Sequence, residues 1–163
     1  MQPRFPTTRS PTIRPFTPAD AAATSALFYD SIHGGAQGAY TPEQLTAWAP
    51  EPPSVDDWAA RLSAMTTLIA VQGAEVVGFM SLEGGGHIDR AFVHPDHLRT
   101  GVASALYQGI LVRARKAGMA ELTADASIVA KPFFEKQGWQ VVATQHPMRN
   151  GVALTNYRMR CAL

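Results

Sequence analysis

Apolar positions along the chain change their spacing several times, and each change marks an element. "TIRPF" (residues 12–16) reads as a short first strand. Helix signals follow in "TPADAAATSALFYDSI", with Thr17 at the N-cap and Pro18 at the first helical position, where a missing N–H costs nothing. "HGGAQGAY" breaks that pattern. "TPEQLTAW" restarts a helix, with Thr41 as cap, Pro42 next and Gln44 closing a capping box. "SVDDWAARLSAM" predicts a third short helix capped by Ser54. "TTLIAVQGAEVVGFMSLEG" predicts a hairpin turning at residues 72–74, ended by Gly84, Gly85 and Gly86. "HIDRAFV" predicts another strand, residues 101–117 a helix and "AELTAD" a strand. "SIVAKPFFEKQ" predicts a helix that ends at Gly138. "WQVVATQ" and "VALTNYRMR" predict the last two strands, with a turn signal at Asn150-Gly151 between them.

The order is strand, helices, three strands, helix, strand, helix, two strands. Antiparallel neighbours come first and a strand–helix–strand unit sits in the middle. The expected fold class is α/β: a single domain with a mixed, mostly antiparallel sheet flanked by helices. At 163 residues the chain fits one such domain over residues 12–163, behind a short Pro-rich segment, residues 1–11, read as a loose arm. No internal repeat is visible.

Composition narrows the function classes. The net charge is +1, and the lysines and arginines are scattered rather than run together with aromatics, which argues against nucleic acid. No apolar run reaches the length of a membrane span and no signal peptide is visible. The single cysteine, Cys161, rules out an intrachain disulfide framework and fits a reducing compartment, so a cytoplasmic location is expected.

One stretch points to chemistry. "HPDHLRTGVASALYQGIL" places Gly101 and small residues at the mouth of a helix. The first amides of a helix lack internal partners, and the helix dipole adds partial positive charge there. The backbone of Arg99, Thr100, Gly101, Val102, Ala103 and Ser104 therefore has the make-up of a pyrophosphate cradle. A tight turn alone would use the same residues.

With its neighbours, this stretch resembles the GNAT family of acyl-CoA-dependent N-acetyltransferases. The family's cradle follows a strand ending in Val-x-Pro and reads Gln/Arg-x-x-Gly-x-Gly/Ala; Val93, Pro95, Gly101 and Ala103 stand at the matching places. A later family motif is matched or nearly matched by Ser127, Ala130, Phe134, Glu135, Lys136, Gly138 and Trp139. The element order agrees from Thr12 to Arg160. The chain is most similar to a bacterial branch that shares Tyr40, Gln44, Leu45, Trp48 and the ending "GVALTNYRM". The resemblance implies the acyl-CoA N-acyltransferase fold, acetyl-CoA as co-substrate and acetyl transfer to an amine. It leaves open a homodimer. Two departures stand out. Leu98 occupies the Gln/Arg position of the cradle and Thr100 that of the usual basic residue, with Arg99 beside them as a replacement charge. Phe134 stands where the family often has a tyrosine that protonates the departing thiolate. Release of a thiolate at pH 7 from a thiol of pKa near 8.5 is uphill by only about 2 kcal/mol, so catalysis survives that loss.

Site residues follow from the resemblance and the strand pattern together. The resemblance implies that Phe92 and Val93 contact the pantetheine arm through their backbone, with the Val93 N–H near the thioester oxygen. Ser127, at the family's Asn position, either bonds the pantetheine or simply caps the next helix. Strict alternation along "HIDRAFV" puts His87, Asp89, Ala91 and Val93 on one face and Ile88, Arg90 and Phe92 on the other. Asp89 and His87 are then candidates for a proton relay, and Asp125, ending the next strand, is a third. Each has a structural alternative: Asp89 as partner of an arginine, His87 as an exposed residue after a loop, Asp125 as a helix-terminal carboxylate. Tyr29, His33, Tyr40 and Trp48 are the candidate acceptor walls, in a glycine-rich segment expected to be mobile without ligand. Tyr157 is a candidate replacement acid, or a core tyrosine. No metal site is expected. The expected function is an N-acetyltransferase for a small amine or amino acid; the alternative is a non-catalytic acyl-CoA-binding module.

Overall fold

The computed structural model describes residues 10–163, so residues 1–9 of the expected N-terminal arm lie outside the described residues. The elements run β1 (Thr12–Pro15), a 3-10 turn (Pro18–Asp20), α1 (Ala21–Gly35), α2 (Pro42–Trp48), α3 (Val55–Ser63), β2 (Thr66–Gln72), β3 (Glu75–Leu82) and β4 (His87–Val93). A second 3-10 turn (Pro95–His97) leads to α4 (Val102–Lys116), β5 (Glu121–Ser127), α5 (Lys131–Lys136), β6 (Gln140–Gln145), the small hairpin β7 (Met148–Arg149) and β8 (Val152–Ala153), and β9 (Asn156–Ala162). Seven strands form one sheet in the order β1-β2-β3-β4-β5-β9-β6. Every neighbouring pair is antiparallel except β4 and β5, which the α4 crossover makes parallel. This is the expected mixed, mostly antiparallel α/β sheet.

Both faces of the sheet are covered. Beneath α4, Leu68, Met80, Ile88, Leu106, Ile110 and Met159 form one core. Beneath α1, α2 and α3, Leu27, Phe28, Ile32, Trp58, Ile69 and Phe79 form the other. Two glycines set how close α4 lies. A Cβ on Gly78 would stand 2.9 Å from Val102 Cγ1, and one on Gly109 would stand 2.7 Å from Leu68 Cδ1. The mouth of α4 is thereby held against β3, beside the end of β4.

Local chemistry explains where elements depart from the sequence pattern. Thr17 opens a 3-10 turn rather than α1 itself: the Asp20 carboxylate accepts the Thr17 N–H at 2.8 Å and two bonds from Arg14 at 2.7 Å. The Arg14 hydrogen bonds, working against burial, hold the Asp20 carboxyl below its ordinary range. Helix α1 continues through His33, Gly34 and Gly35 instead of breaking there. Those glycines admit a neighbour, since a Cβ on Gly34 would stand 3.0 Å from Pro95 Cγ. The expected helix at 127–137 shrinks to α5, because residues 127–130 form a turn in which Ser127 Oγ accepts the Ala130 N–H at 3.0 Å. The expected last strand divides into β8 and β9. Its carbonyls at Ala153 and Thr155 are taken by Gln44 Nε2 (3.1 Å) and the Tyr40 hydroxyl (2.6 Å), away from the sheet.

Candidate active site

Strands β4 and β5 pair only at His87↔Thr123 and Ile88↔Ala124, and then part. The gap between them exposes strand edges that a sheet normally satisfies. The antiparallel ladder on the other side of β4 fixes what faces this gap. The His94 N–H donates to the Val77 carbonyl at 2.8 Å, so the adjacent pair Gly78↔Val93 is of the non-bonded kind. The backbone N–H of Val93, and by the same alternation that of Ala91, therefore points away from β3 toward the gap. The backbone of Phe92, by contrast, belongs to the β3 ladder, opposite Phe79. Its ring packs on Phe28 (5.0 Å between centroids) and Phe79 (5.8 Å). Of the two residues expected to meet a pantetheine arm through backbone, Val93 turns its N–H to the gap, as does Ala91, whereas Phe92 turns its N–H to β3.

A bulge corrects the alternation expected along β4. Ser81 pairs with Arg90 and Leu82 with Ile88, leaving Asp89 as the extra residue. A bulge turns two successive side chains to the same side. Asp89 meets Arg61 of α3 (3.1 Å), and Arg90 lies over the rings of Phe28 and Trp58 at 5.6 and 5.8 Å. Ile88, Ala91 and Val93 instead pack with the α4-side core. Ala91 and Val93 thus do not share a face with Asp89.

Two cavities meet at the gap. The first, of about 150 Å³, is mostly apolar and runs under the mouth of α4, lined by Val93, Leu98, Ala103, Leu106 and Phe133 among others. Gly101 caps α4 with φ +88°, a left-handed conformation that suits glycine, and Arg99 has φ +60°. The first intrahelical donor is Ala105, to the Gly101 carbonyl at 3.0 Å. The N–H groups of Val102, Ala103 and Ser104 therefore have no partner within the helix. A Cβ built on Gly101 meets nothing within 4 Å, so the space at the helix mouth is open. The Thr100 hydroxyl closes the turn by donating to the His97 carbonyl. Leu98 turns its side chain to the apolar cavity, and Arg99 has no ion-pair partner among the described residues.

The second cavity, of about 580 Å³, is polar and lies on the opposite side of the gap. Its wall brings together His87, Asp89, Arg90 and Asp125 with Arg61, Arg149 and Asn156. The two cavities share Trp48, Ala91, Phe92, Ser127, Ala130 and Phe134. Phe134 is almost wholly covered yet lines both cavities at this seam. Ser127 stands there too. Its Oγ accepts from Ala130, and its own proton remains free to donate.

The expected relay from His87 to Asp89 is not what the structure assembles. Asp89 is held by Arg61 and by Arg90 (3.3 Å), which realises its alternative as an arginine partner. His87 pairs instead across the gap's closed end: Nδ1 is 2.8 Å from Thr123 Oγ1 and Nε2 is 3.7 Å from Asp125 Oδ2. Asp125 is in turn fixed by Arg158 Nε at 2.8 Å and Gln145 Nε2 at 3.3 Å.

The four candidate acceptor residues divide evenly. Tyr40 and Trp48 line the polar cavity. Tyr29 and His33 do not line it; their rings stack at 4.3 Å and His33 Nε2 is bound to the Ala49 carbonyl at 2.7 Å. The Tyr40 hydroxyl is fully engaged, donating to Thr155 O and accepting from Ile128 N at 3.0 Å. Burial, the largest influence, pushes its pKa up. The Thr41–Gln44 capping box closes the same segment at its other side. Tyr157 lines neither cavity; its ring sits under Lys131 Nζ at 5.0 Å. Arg61, Arg90, Arg149, Asn156 and Thr123 belong to the cavity or its hydrogen bonds and were not singled out by pattern. Only the Asn150-Gly151 turn signal pointed near one of them.

With this geometry in place, likeness to known proteins decides the family. The model of the GNAT acetyltransferase domain matches residues 36–161. The chain belongs to the GNAT family. It is 38% identical over 151 residues to "Uncharacterized N-acetyltransferase YafP" of Escherichia coli K12, covering 91% of this chain and 93% of that protein. A GCN5-related N-acetyltransferase structure from Rhodopseudomonas palustris, described as "Aminotransferase, Class-II", superposes with a TM-score of 0.90 at 39% identity, covering 95% and 97% of the two chains. The PaiA N-acetyltransferase from Thermoplasma acidophilum, solved with coenzyme A, shares the fold at 18% identity, with a TM-score of 0.80 over 95% of this chain and all of that one. This GNAT chain is an N-acetyltransferase, and no helix among its described residues is long and apolar enough to cross a membrane.

Proposed function

We propose that the chain moves an acetyl group from acetyl-CoA to the amine of a small molecule by direct attack on the thioester. The observation that carries this reading is the meeting of an apolar and a polar cavity at the β4–β5 gap, with an open ring of amides at the outer end of the apolar one. These residues fit acetyl-CoA. The N–H groups of Val102, Ala103 and Ser104 suit a pyrophosphate, and the open space over Gly101 lets it approach. Leu98, Ala103 and Leu106 suit an uncharged pantetheine arm and exclude water from it. When bound, acetyl-CoA supplies an activated acyl group. The PaiA structure and that of YncA from Salmonella typhimurium hold coenzyme A and acetyl-CoA respectively, in chains of the same fold.

The chain's own groups then have separable tasks. The Val93 N–H, aimed into the gap, stabilises negative charge on the carbonyl oxygen. His87 takes the amine's proton. In the tautomer whose Nδ1–H donates to Thr123, Nε2 is the basic nitrogen, and Asp125 stabilises the imidazolium that forms. Ser127 replaces the missing tyrosine as proton donor to the departing thiolate. The polar cavity has the volume of a small-molecule site. Release of free thiol from acetyl-CoA over a panel of small amines, with mass spectrometry of the product, tests this. An N-acetylated product is expected; tight binding of acetyl-CoA without turnover on any amine would contradict it.

A further inference from the structure

The polar cavity holds two buried groups that protein atoms leave unmatched. Arg90 Nε and Asn156 Oδ1 are both buried without a hydrogen-bond partner, and both residues line this cavity. Buried donors and acceptors in native proteins are almost always paired, so each calls for a partner that the protein itself does not supply. Their chemistries are opposite: one is a cationic donor, the other an acceptor.

Charge around them is not balanced. Arg61, Arg90 and Arg149 line the cavity, and Asp89 is shared between the first two. Asp125, the other carboxylate in the wall, is held by Arg158. Arg149 has no ion-pair partner among the described residues. It stands on the β7–β8 hairpin, which Asn150 anchors through Nδ2 to the Ala47 carbonyl at 2.8 Å. Asn150 and Gly151 both take positive φ, 49° and 79°, so the turn is tight and its arm is short. Arg61 and Arg149 both repel the charge on Arg90, while Asp89 and Glu83 attract it; burial is the main cause of a lowered Arg90 pKa.

The opposite wall is different in kind. Asn156 is the cross-strand neighbour of Ser127, which stands at the seam between the cavities. Asp125 and His87 lie on the same wall, 3.7 Å apart. Acceptors therefore line the β5–β9 side, with His87 at the start of β4 beside Asp125, and unspent guanidinium charge lies on Arg61, Arg90 and the hairpin.

Resting on the reading of the cavity as the amine site, we propose that the acceptor is an amine that also carries a carboxylate, an amino acid or a close relative, with the carboxylate between Arg90 and Arg149 and the amine directed to Asn156 Oδ1 and His87. A carboxylate is planar and takes two parallel N–H bonds from a guanidinium, which matches the unpaired Nε edge of Arg90. Among the described residues, both carboxylates that line the cavity, Asp89 and Asp125, are already paired with arginines, which disfavours a polyamine.

The test compares three versions of one acceptor on the intact protein: an amino acid, its carboxamide, and the amine lacking the carboxyl group. Free-thiol release gives kcat/KM for each. The amino acid is expected to exceed the other two by roughly 10- to 100-fold, the range for a charged hydrogen bond to an otherwise unpaired group. Arg149→Gln, on an exposed hairpin position, is expected to lower kcat/KM for the amino acid about tenfold more than for the carboxamide, with KM for acetyl-CoA moving little. Arg90→Lys is a second variant that keeps charge but loses the planar edge, and it should narrow the same ratio. Turnover of all three at similar rates, or a preference for the carboxyl-free amine, would overturn the carboxylate assignment while leaving N-acetylation intact. A matched aminophosphonate turning over faster than the amino acid would overturn the choice of carboxylate. No turnover of any small amine, with acetyl-CoA bound normally, would overturn both this assignment and the function beneath it.

Discussion

The two cavities are built by different means. The apolar one is walled by α1, α2, β3, β4, α4 and the turn into α5, but its outer end is one local run, from the end of β4 to the mouth of α4. The unpaired groups at that end are backbone amides, whose direction follows from the helix itself. The polar one draws side chains from α3, β4, β5, the β7–β8 hairpin and β9, which are distant in sequence. A cofactor with an invariant pyrophosphate suits the first kind of site. An acceptor that differs between relatives suits the second, because each side chain there changes independently of the fold.

The largest expected effect lies on the polar side. His87→Ala should lower kcat by about 10²- to 10⁴-fold, the usual contribution of a positioned base, with acetyl-CoA affinity unchanged. Steady-state kinetics beside a calorimetric titration checks it. A parallel loss of affinity would erase the division between the sites.

Two glycines sharpen the apolar side. Gly101 and Gly138 have nearly the same φ, +88° and +89°, and a Cβ meets nothing within 4 Å at either. Gly101→Ala and Gly138→Ala should each cost about 1 kcal/mol of stability, from the left-handed backbone alone. Only the first should weaken acetyl-CoA, by an expected factor of about ten or more, because only there does the methyl enter the cradle. Thermal melts and acetyl-CoA titrations of both variants separate strain from occlusion. Equal affinity in the two would remove the cradle from Gly101.

Much of this contrast was legible in the sequence. Gly101, the small residues after it and the Val93–Pro95 strand end are local signals, and they pointed to a helix mouth whose first amides the helix leaves unpaired. The mixed, mostly antiparallel class of the sheet also followed, from the order and types of the elements, though not the order of its strands. The bulge at Asp89 did not, because it depends on how β4 registers against β3, which no pattern within "HIDRAFV" reveals. That one residue decides between the two roles left open for Asp89, turning it to Arg61. Tyr40 and Trp48 were found as aromatics, but Tyr29 and His33 carry the same signal and pack on each other beside the site. Arg149 and Asn156 look like ordinary loop and strand residues until the hairpin and β9 bring them to the cavity. The glycines of "HGGAQGAY" signalled freedom, whereas Gly34 serves close packing on Pro95.

Smaller effects are expected at the seam. Ser127→Ala should lower kcat several-fold, consistent with the roughly 2 kcal/mol that thiolate release needs at pH 7. It should cost little stability, since its bond to the Ala130 N–H lies in a part-buried turn. A pH–rate profile checks it: the loss should be greatest at neutral pH and shrink as pH rises toward the thiol's own pKa. Smallest of all, Phe134→Tyr should keep the fold and keep or slightly raise turnover, because a hydroxyl there would enter the seam rather than the core. Crystallography with kinetics on that variant decides it.

The division of the molecule at the β4–β5 gap is tested most directly by a crystal structure of the protein with acetyl-CoA. The pyrophosphate is expected on the N–H groups of Val102, Ala103 and Ser104, and the acetyl carbonyl at the Val93 N–H with the polar cavity still open beside it. An acetyl group lodged among Arg61, Arg90 and Arg149 instead would contradict the assignment of that cavity to the amine.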